Sequence, residues 1–171
     1  PKIRPFARLL NLEDTIAAIA TPPGTGSIGI IRVSGPRSRD IASLIFRPSN
    51  KTDGFNSHRL YHGDIISPDT GRVIDEVLIS FMMKPRSYTG EDILEINCHG
   101  SSFILQSVLT LVINAGARLA EPGEFTKRAF LNNRIDLSQA EAVAETIMAK
   151  TDRALDLAVS HLKGGLACKI E

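Results

Sequence analysis

The chain has 171 residues, 43% of them hydrophobic and 23% charged, with a net charge of +1 at neutral pH. That length buries one good core with room for an appendage, and the composition is that of an ordinary globular protein. Near-neutrality carries no basic footprint for nucleic acid, no run of about 18 apolar residues marks a membrane helix, and two distant cysteines make no disulfide framework.

The charge is unevenly spread. Residues 1–50 hold seven Lys/Arg against three Asp/Glu, and residues 51–100 hold five against eight. Cys98 and Cys168, unpaired by spacing, point to a reducing compartment. The chain begins at Pro1, so residues 1–13, which open on PKIRPFARLLN, are read as a tail or linker and set aside.

Thr21 to Gly35 reads TPPGTGSIGIIRVSG and contains glycine-x-glycine-x-x-glycine at Gly24, Gly26 and Gly29. A dinucleotide site needs the last glycine to open a helix. Ile30, Ile31 and Val33 are β-branched, and Gly35-Pro36 then stops the run. With Ile16 to Ala20 ahead of it, the stretch predicts strand, glycine-rich turn, strand. Arg32 lies between Ile31 and Val33, so alternation aims its guanidinium across the opposite face from that apolar pair. Spacing alone leaves two readings open, a surface ion pair or a fixed fork for a carboxylate or phosphate.

Pro36 suits the first turn of a helix carrying Ile41, Leu44 and Ile45 and running out near Arg47-Pro48, with a loop over 48–57. Arg59 to Ser67 and Val73 to Met83 predict a hairpin closed by Pro68-Asp69-Thr70-Gly71. Asp92 to Cys98 reads as a strand. Gly100-Ser101-Ser102 then precedes a helix with Leu105, Val108, Leu109 and Val112 as its buried stripe and Gly116 just past its end. Arg118 to Ala120 can add a short strand. Strands, hairpins and helices in this order predict an α/β sandwich with a mixed sheet and packed helices.

The character changes at Glu121. Pro122 opens a short helix through Phe125, Ala129 and Phe130, ending at Asn132-Asn133. Ser138-Gln139-Ala140-Glu141 has the spacing of a capping box. Ala140, Ala144, Ile147, Thr151, Leu155, Ala158, Leu162 and Leu166 follow steps of three and four, which predicts one unbroken helix of about 27 residues, roughly 40 Å long. So small a domain cannot cover that seam, and the expectation is a fragment whose partner helix lies elsewhere.

Among the polar residues, Cys98-His99 suggests a nucleophile and base, but adjacent strand residues face opposite ways, and Cys98 fits better as a small core residue. Two cysteines and four histidines lack metal spacing. Glu95 lies inside Ile93-Leu94-Glu95-Ile96, where a carboxylate needs a partner. Either it pairs with an arginine such as Arg32, or it accepts two hydrogen bonds from an amino-imino edge such as that of a guanidinium or a 2-amino-4-oxo pteridine. Arg134, following Asn132-Asn133, is a cation at a loop apex. No glycine-x4-glycine-lysine-serine/threonine loop occurs, so GTP or ATP is not expected to bind by that route.

Three long stretches carry a resemblance. DTIAAIATPPGTGSIGIIRVSGP (14–36), SYTGEDILEINCHG (87–100) and RLAEPGEFTKRAFLNNRIDLSQAEAVAETI (118–147) resemble the N-terminal part of the tRNA-modification GTPases of the MnmE (TrmE) family, and with the elements between them the likeness covers 14–170. It implies a tetrahydrofolate-binding and dimerisation domain at 14–120, similar to the folate domains of aminomethyltransferases. It also implies the first part of a helical domain at 121–171, cut before a Ras-like GTPase domain. The implied cofactor is 5-formyl-tetrahydrofolate, with GTP, Mg and K confined to the missing GTPase domain. The implied partners are a second copy of the chain, an FAD-dependent MnmG-type protein and tRNA, whose wobble uridine receives an aminomethyl-type group, and no membrane. The expected compartment is the cytoplasm, or the mitochondrial matrix in a eukaryote. The folate contacts carry over to Arg32, Glu95 and Arg134, and no catalytic residue falls in this stretch. Thr25 stands where the family commonly has Arg or Lys after TPPG. The competing functions are a stand-alone folate-dependent aminomethyltransferase-like enzyme and a dimerisation scaffold with a vestigial pocket.

Overall fold

A computed structural model describes residues 14–163. The chain divides into two compact units, one running through Ser87 and resuming over Glu91–Pro122, the other taking Tyr88–Gly90 and continuing from Gly123.

The first unit is a seven-stranded sheet. In chain order its strands are β1 (Ile16–Ile19), β2 (Ile28–Ser34), β3 (Phe46–Pro48), β4 (Arg59–Ile66), β5 (Val73–Met82), β6 (Ile93–His99) and β7 (Arg118–Leu119). In space they run β3-β4-β5-β6-β2-β1-β7, every neighbour antiparallel except β1 with β7. The sheet is therefore mixed, as the element order predicts. Two helices, α1 (Ser38–Ile45) and α2 (Ser102–Asn114), supply Ile41, Ala42 and Ile45 and Leu105, Val108, Leu109 and Val112 to one core. The same core takes alternate residues of the central strands: Ile31 and Val33, Leu94, Ile96 and Cys98, Val77, Ile79 and Phe81. Both helices thus serve one face, and the intervening strand residues project from the other. An aromatic cluster closes the β3–β5 end, with Phe55 edge-on to Tyr61 at 5.4 Å and stacked on Phe81 at 6.3 Å.

The glycine-rich stretch forms the β1–β2 hairpin, where Gly29, and Gly100 just past the end of β6, allow close packing. A Cβ on Gly29 would meet the Leu105 side chain of α2 at 2.5 Å, and one on Gly100 would meet the Gly26 carbonyl oxygen at 2.3 Å. Two backbone hydrogen bonds also tie this junction, Gly26 N–H donating to Gly100 O at 3.3 Å and Gly100 N–H to Ser27 O at 3.2 Å.

One short strand departs from expectation. The helix expected to run out near Arg47-Pro48 stops at Ile45, and Phe46 turns extended at φ −114°, ψ 129° to begin β3. Proline disfavours the helical region for the residue before it, and an edge strand tolerates a missing donor. Phe46, 5% exposed, is thereby delivered to the core.

In the second unit, α3 (Glu124–Leu131) is followed by α4 (Leu137–Met148) and α5 (Asp152–Leu162). The single long helix is thus corrected to two. Ala149 is extended at φ −61°, ψ 128°, and the Thr151 hydroxyl caps α5 by accepting from Ala154 N–H at 3.2 Å. A threonine followed by aspartate is a helix start, and here it overrides an apolar spacing that runs straight through it. The buried face follows the expected seam only in part. Ala158 is buried as expected, but Ala142, outside the seam, is buried too, while Ile147 is 79% exposed. The two helices join directly, Gln139 Nε2 donating to Leu162 O at 2.8 Å, so part of the partner expected from elsewhere is supplied within the chain. The capping box belongs to Asp136 and Gln139, two residues earlier than expected, because Asp136 accepts from Gln139 N–H at 2.8 Å while Gln139 Oε1 accepts from Asp136 N–H at 2.9 Å. Leu166, Cys168 and the 1–13 tail lie outside the described residues.

Candidate functional site: a guanidinium–carboxylate couple on the open sheet face

The antiparallel register of β2 and β6 sets Arg32 directly opposite Glu95, on the face that α1 and α2 leave open. Arg32 Nε and Nη2 both reach Glu95 Oε1, at 2.8 and 2.7 Å. The pair is neither buried nor free in solvent, its side chains being 30% and 23% exposed. Among the described residues Glu95 Oε2 has no partner, so half of the carboxylate keeps its acceptor capacity. Small residues flank the couple: Ala18 of β1 lies opposite Arg32, and Ser80 of β5 lies opposite Glu95. A planar group with adjacent donor and acceptor atoms fits such a floor, donating to Oε2 and accepting from the guanidinium edge.

The other acidic residues of Gly90-Glu91-Asp92 act within the scaffold. Ser34 Oγ donates to Glu91 Oε2 at 2.7 Å, and Asp92 Oδ1 accepts from Lys84 N–H at 2.9 Å. Arg134 belongs to the second unit. It is exposed just past α3, where Asn133 takes φ 55° and Arg134 N–H donates to Ala129 O at 2.8 Å. The structure therefore brings Arg32 and Glu95 together and places Arg134 in the other unit. Nearby, Tyr88 Oη and Thr126 Oγ1 share a hydrogen bond of 2.8 Å, and Asn132 Nδ2 donates to Thr89 O at 2.7 Å. Tyr88–Gly90 is thus tied to α3.

The family described as "GTP-binding protein TrmE N-terminus" matches residues 15–134, most of the chain. The chain belongs to that family. Similar proteins named "tRNA modification GTPase MnmE" include those of Syntrophus aciditrophicus (strain SB), 61% identical over 94% of this chain, and Geobacter sulfurreducens, 54% identical over 95% of it. A third, from Natranaerobius thermophilus, is 54% identical over 93%. In each case the chain spans 35% of the relative's length. Arg32, Glu95 and Arg134 all fall within the TrmE N-terminal match.

Cys98 and His99 face apart, as strand alternation requires. Cys98 is 3% exposed in the core, and burial, reinforced by the Asp75 charge, pushes its thiol up to about 12. It is therefore protonated at neutral pH and a poor nucleophile. Peptide-resolved iodoacetamide labelling at pH 8 is expected to leave Cys98 unmodified in the folded protein and to modify it in urea. Rapid native-state labelling would contradict this burial.

His99 has a partner that the spacing did not reveal. Its backbone N–H donates to Asp75 Oδ2 at 2.8 Å, and its ring Nδ1 lies 2.7 Å from Asp75 Oδ1. The hydrogen bond to Asp75, then its charge, raise the His99 pKa above the ordinary 6.5. The available signal was Asp75 itself, a carboxylate alternating with Val77 and Ile79 and so requiring a donor. Among the described residues no cluster of three or more His, Cys, Asp or Glu could hold a metal, and no helix is long and apolar enough to cross a membrane.

Proposed function

We propose that this chain is the folate-binding and dimerising part of a tRNA-modification GTPase, with 5-formyl-tetrahydrofolate as its ligand. The observation that carries the reading is the Arg32–Glu95 couple, half-exposed on an open sheet face, with Oε2 of the carboxylate unpartnered among the described residues. A pterin presents a 2-amino group and a ring N–H beside a 4-oxo group, which matches one carboxylate oxygen next to a guanidinium. Arg32 and Glu95 share Oε1, so both belong at the ring end of the ligand. This favours Glu95 on the amino edge and Arg32 on the ring oxygen. Arg134 is assigned to the same ligand by the family resemblance. When bound, the folate supplies a one-carbon unit, and the role of this chain is to hold and orient it.

The sheet would be the folate-domain fold of the aminomethyltransferases, paired with a second copy of itself. The names of the relatives support GTP hydrolysis and tRNA modification in the whole protein, of which this chain matches 35% of the length. There the expected chemistry is aminomethyl-type modification of the wobble uridine, with GTP, Mg and K in the GTPase domain, an FAD-dependent MnmG-type partner, and a cytoplasmic or mitochondrial-matrix setting. The test is calorimetric titration with 5-formyl-tetrahydrofolate, alongside light scattering. Saturation at one site per chain on a dimer is the expected result. A folded dimer that binds no folate would favour a scaffold over a folate module, and turnover by this chain alone with an amine acceptor would favour a stand-alone enzyme.

A further inference from the structure

On the open face, β6 presents Glu95, Asn97 and His99 in alternation. Four residues of strand separate Glu95 from His99 by about 13–14 Å. Between them lies an apolar bracket, because Ile30 of β2 and Leu78 of β5 both stand opposite Asn97. His99 has Ile28 opposite on β2, and it lines a cavity of about 320 Å³ with Ile28, Leu78 and Asn97. One strip of sheet thus carries, in order, a guanidinium–carboxylate couple, an apolar stretch and an exposed imidazole. A reduced folate carries, in order, a pterin, an aryl ring and a glutamate with ionised carboxylates.

Resting on the folate reading above, we propose that His99 holds the glutamate carboxylates of that ligand and so sets a preference for folates bearing the tail. Asp75 is the positioning residue. Its side chain is only 6% exposed and lies on the Nδ1 side of the ring, which leaves Nε2 as the outward donor of an imidazole that is itself 68% exposed. The negative charge sits behind the ring and the positive end of the pair faces the ligand. The other titratable groups around this end are Glu76 of β5 and His62 of β4, which pair with each other at 2.9 Å. From β2 and the turn before it only Ile28 and Ser27 contribute, neither of them charged. Glu76 raises the His99 pKa slightly further. The aryl ring would lie on Ile30 and Leu78.

The test compares 5-formyl-tetrahydrofolate with 5-formyl-tetrahydropteroate, which lacks the glutamate, on wild type, His99→Gln and Asp75→Asn. Wild type is expected to prefer the glutamate-bearing ligand by roughly tenfold at pH 6.5, the scale of a hydrogen bond to a charged group. The preference should fade as pH rises through the His99 pKa, since the carboxylates stay ionised throughout and only the imidazolium is lost. His99→Gln should bind both ligands with the wild-type affinity for the truncated one. Asp75→Asn keeps an acceptor for the backbone N–H but removes the charge, so the same fading should come at lower pH. A preference that survives in His99→Gln overturns the inference by placing the tail contact elsewhere, and equal loss of both ligands overturns it by making His99 structural. Tail-specific binding that does not change with pH also overturns it. If wild type binds neither ligand, the folate reading itself fails and the inference with it.

Discussion

Replacing Glu95 with alanine is expected to weaken binding of 5-formyl-tetrahydrofolate by roughly thirtyfold or more. The pterin amino edge would lose its carboxylate, and Arg32 would lose the acceptor that fixes its fork. Truncating one member of a hydrogen-bonded charge pair at a binding site costs about 2–5 kcal/mol, which is some thirtyfold to several thousandfold in affinity. Arg32→Ala is expected to act as strongly, for the converse reason. The two effects should not add, since the double variant removes one couple rather than two contacts. Glu95→Gln is the sharper probe: it keeps the size and one carbonyl oxygen, and it should lose most of the affinity because an amide cannot replace the charge facing both Arg32 and the ring donors. Calorimetry on variants with unchanged thermal melts would check each value. A Glu95→Ala protein that binds as wild type would remove the couple from the site altogether.

The second large effect concerns stability. Phe81 is 0% exposed, with Phe55 stacked against it and the Arg39 guanidinium 4.9 Å from its ring centre. Phe81→Ala is expected to cost about 3–5 kcal/mol, a large part of the roughly 5–15 kcal/mol that holds an ordinary domain folded. Leu78, three residues earlier on the same strand, projects from the open face and is 43% exposed. Leu78→Ala should cost less than about 1 kcal/mol. Urea midpoints followed by circular dichroism, at matched m-values, would measure the contrast. Comparable shifts for the two variants would mean that the open face is covered in solution as thoroughly as the helix-covered one, as a tightly associated dimer would do.

Much of the architecture was legible because its signals are local. Pro68 to Gly71 closes the β4–β5 hairpin with Gly71 at φ 68°, and Gly116 ends α2 at φ 104°. The failures share a cause, which is that a regular apolar spacing says nothing about where a chain turns back. The steps of three and four from Ala140 onward continue through Thr151, where a side-chain cap reverses the direction. Leu137 and Asp136 open α4 rather than Ser138, because the competing capping box is two residues away and both have the right spacing. Phe46 to Pro48 is too short for any period to declare it a strand, and it forms only because β4 offers an edge. In the site, Arg32 and Glu95 stood out as charges inside apolar strands, and β2–β6 register joined them. Asp75 alternates with Val77 and Ile79 and so calls for a donor, but which donor answers it shows only when the chain end of β6 is laid beside it.

The three residues Tyr88–Gly90 impose an order on synthesis. Tyr88 must wait 38 residues for Thr126, and Thr89 must wait 43 for Asn132. At about 5–20 residues per second a ribosome takes roughly 2–9 s to deliver those partners. Once β6 has emerged it can zip onto β5 and β2 while Thr126 and Asn132 are still to come. Newborn chains therefore pass through a period in which the sheet is nearly whole and the Tyr88–Gly90 loop lacks its α3 contacts, a period that ends only when α3 has emerged.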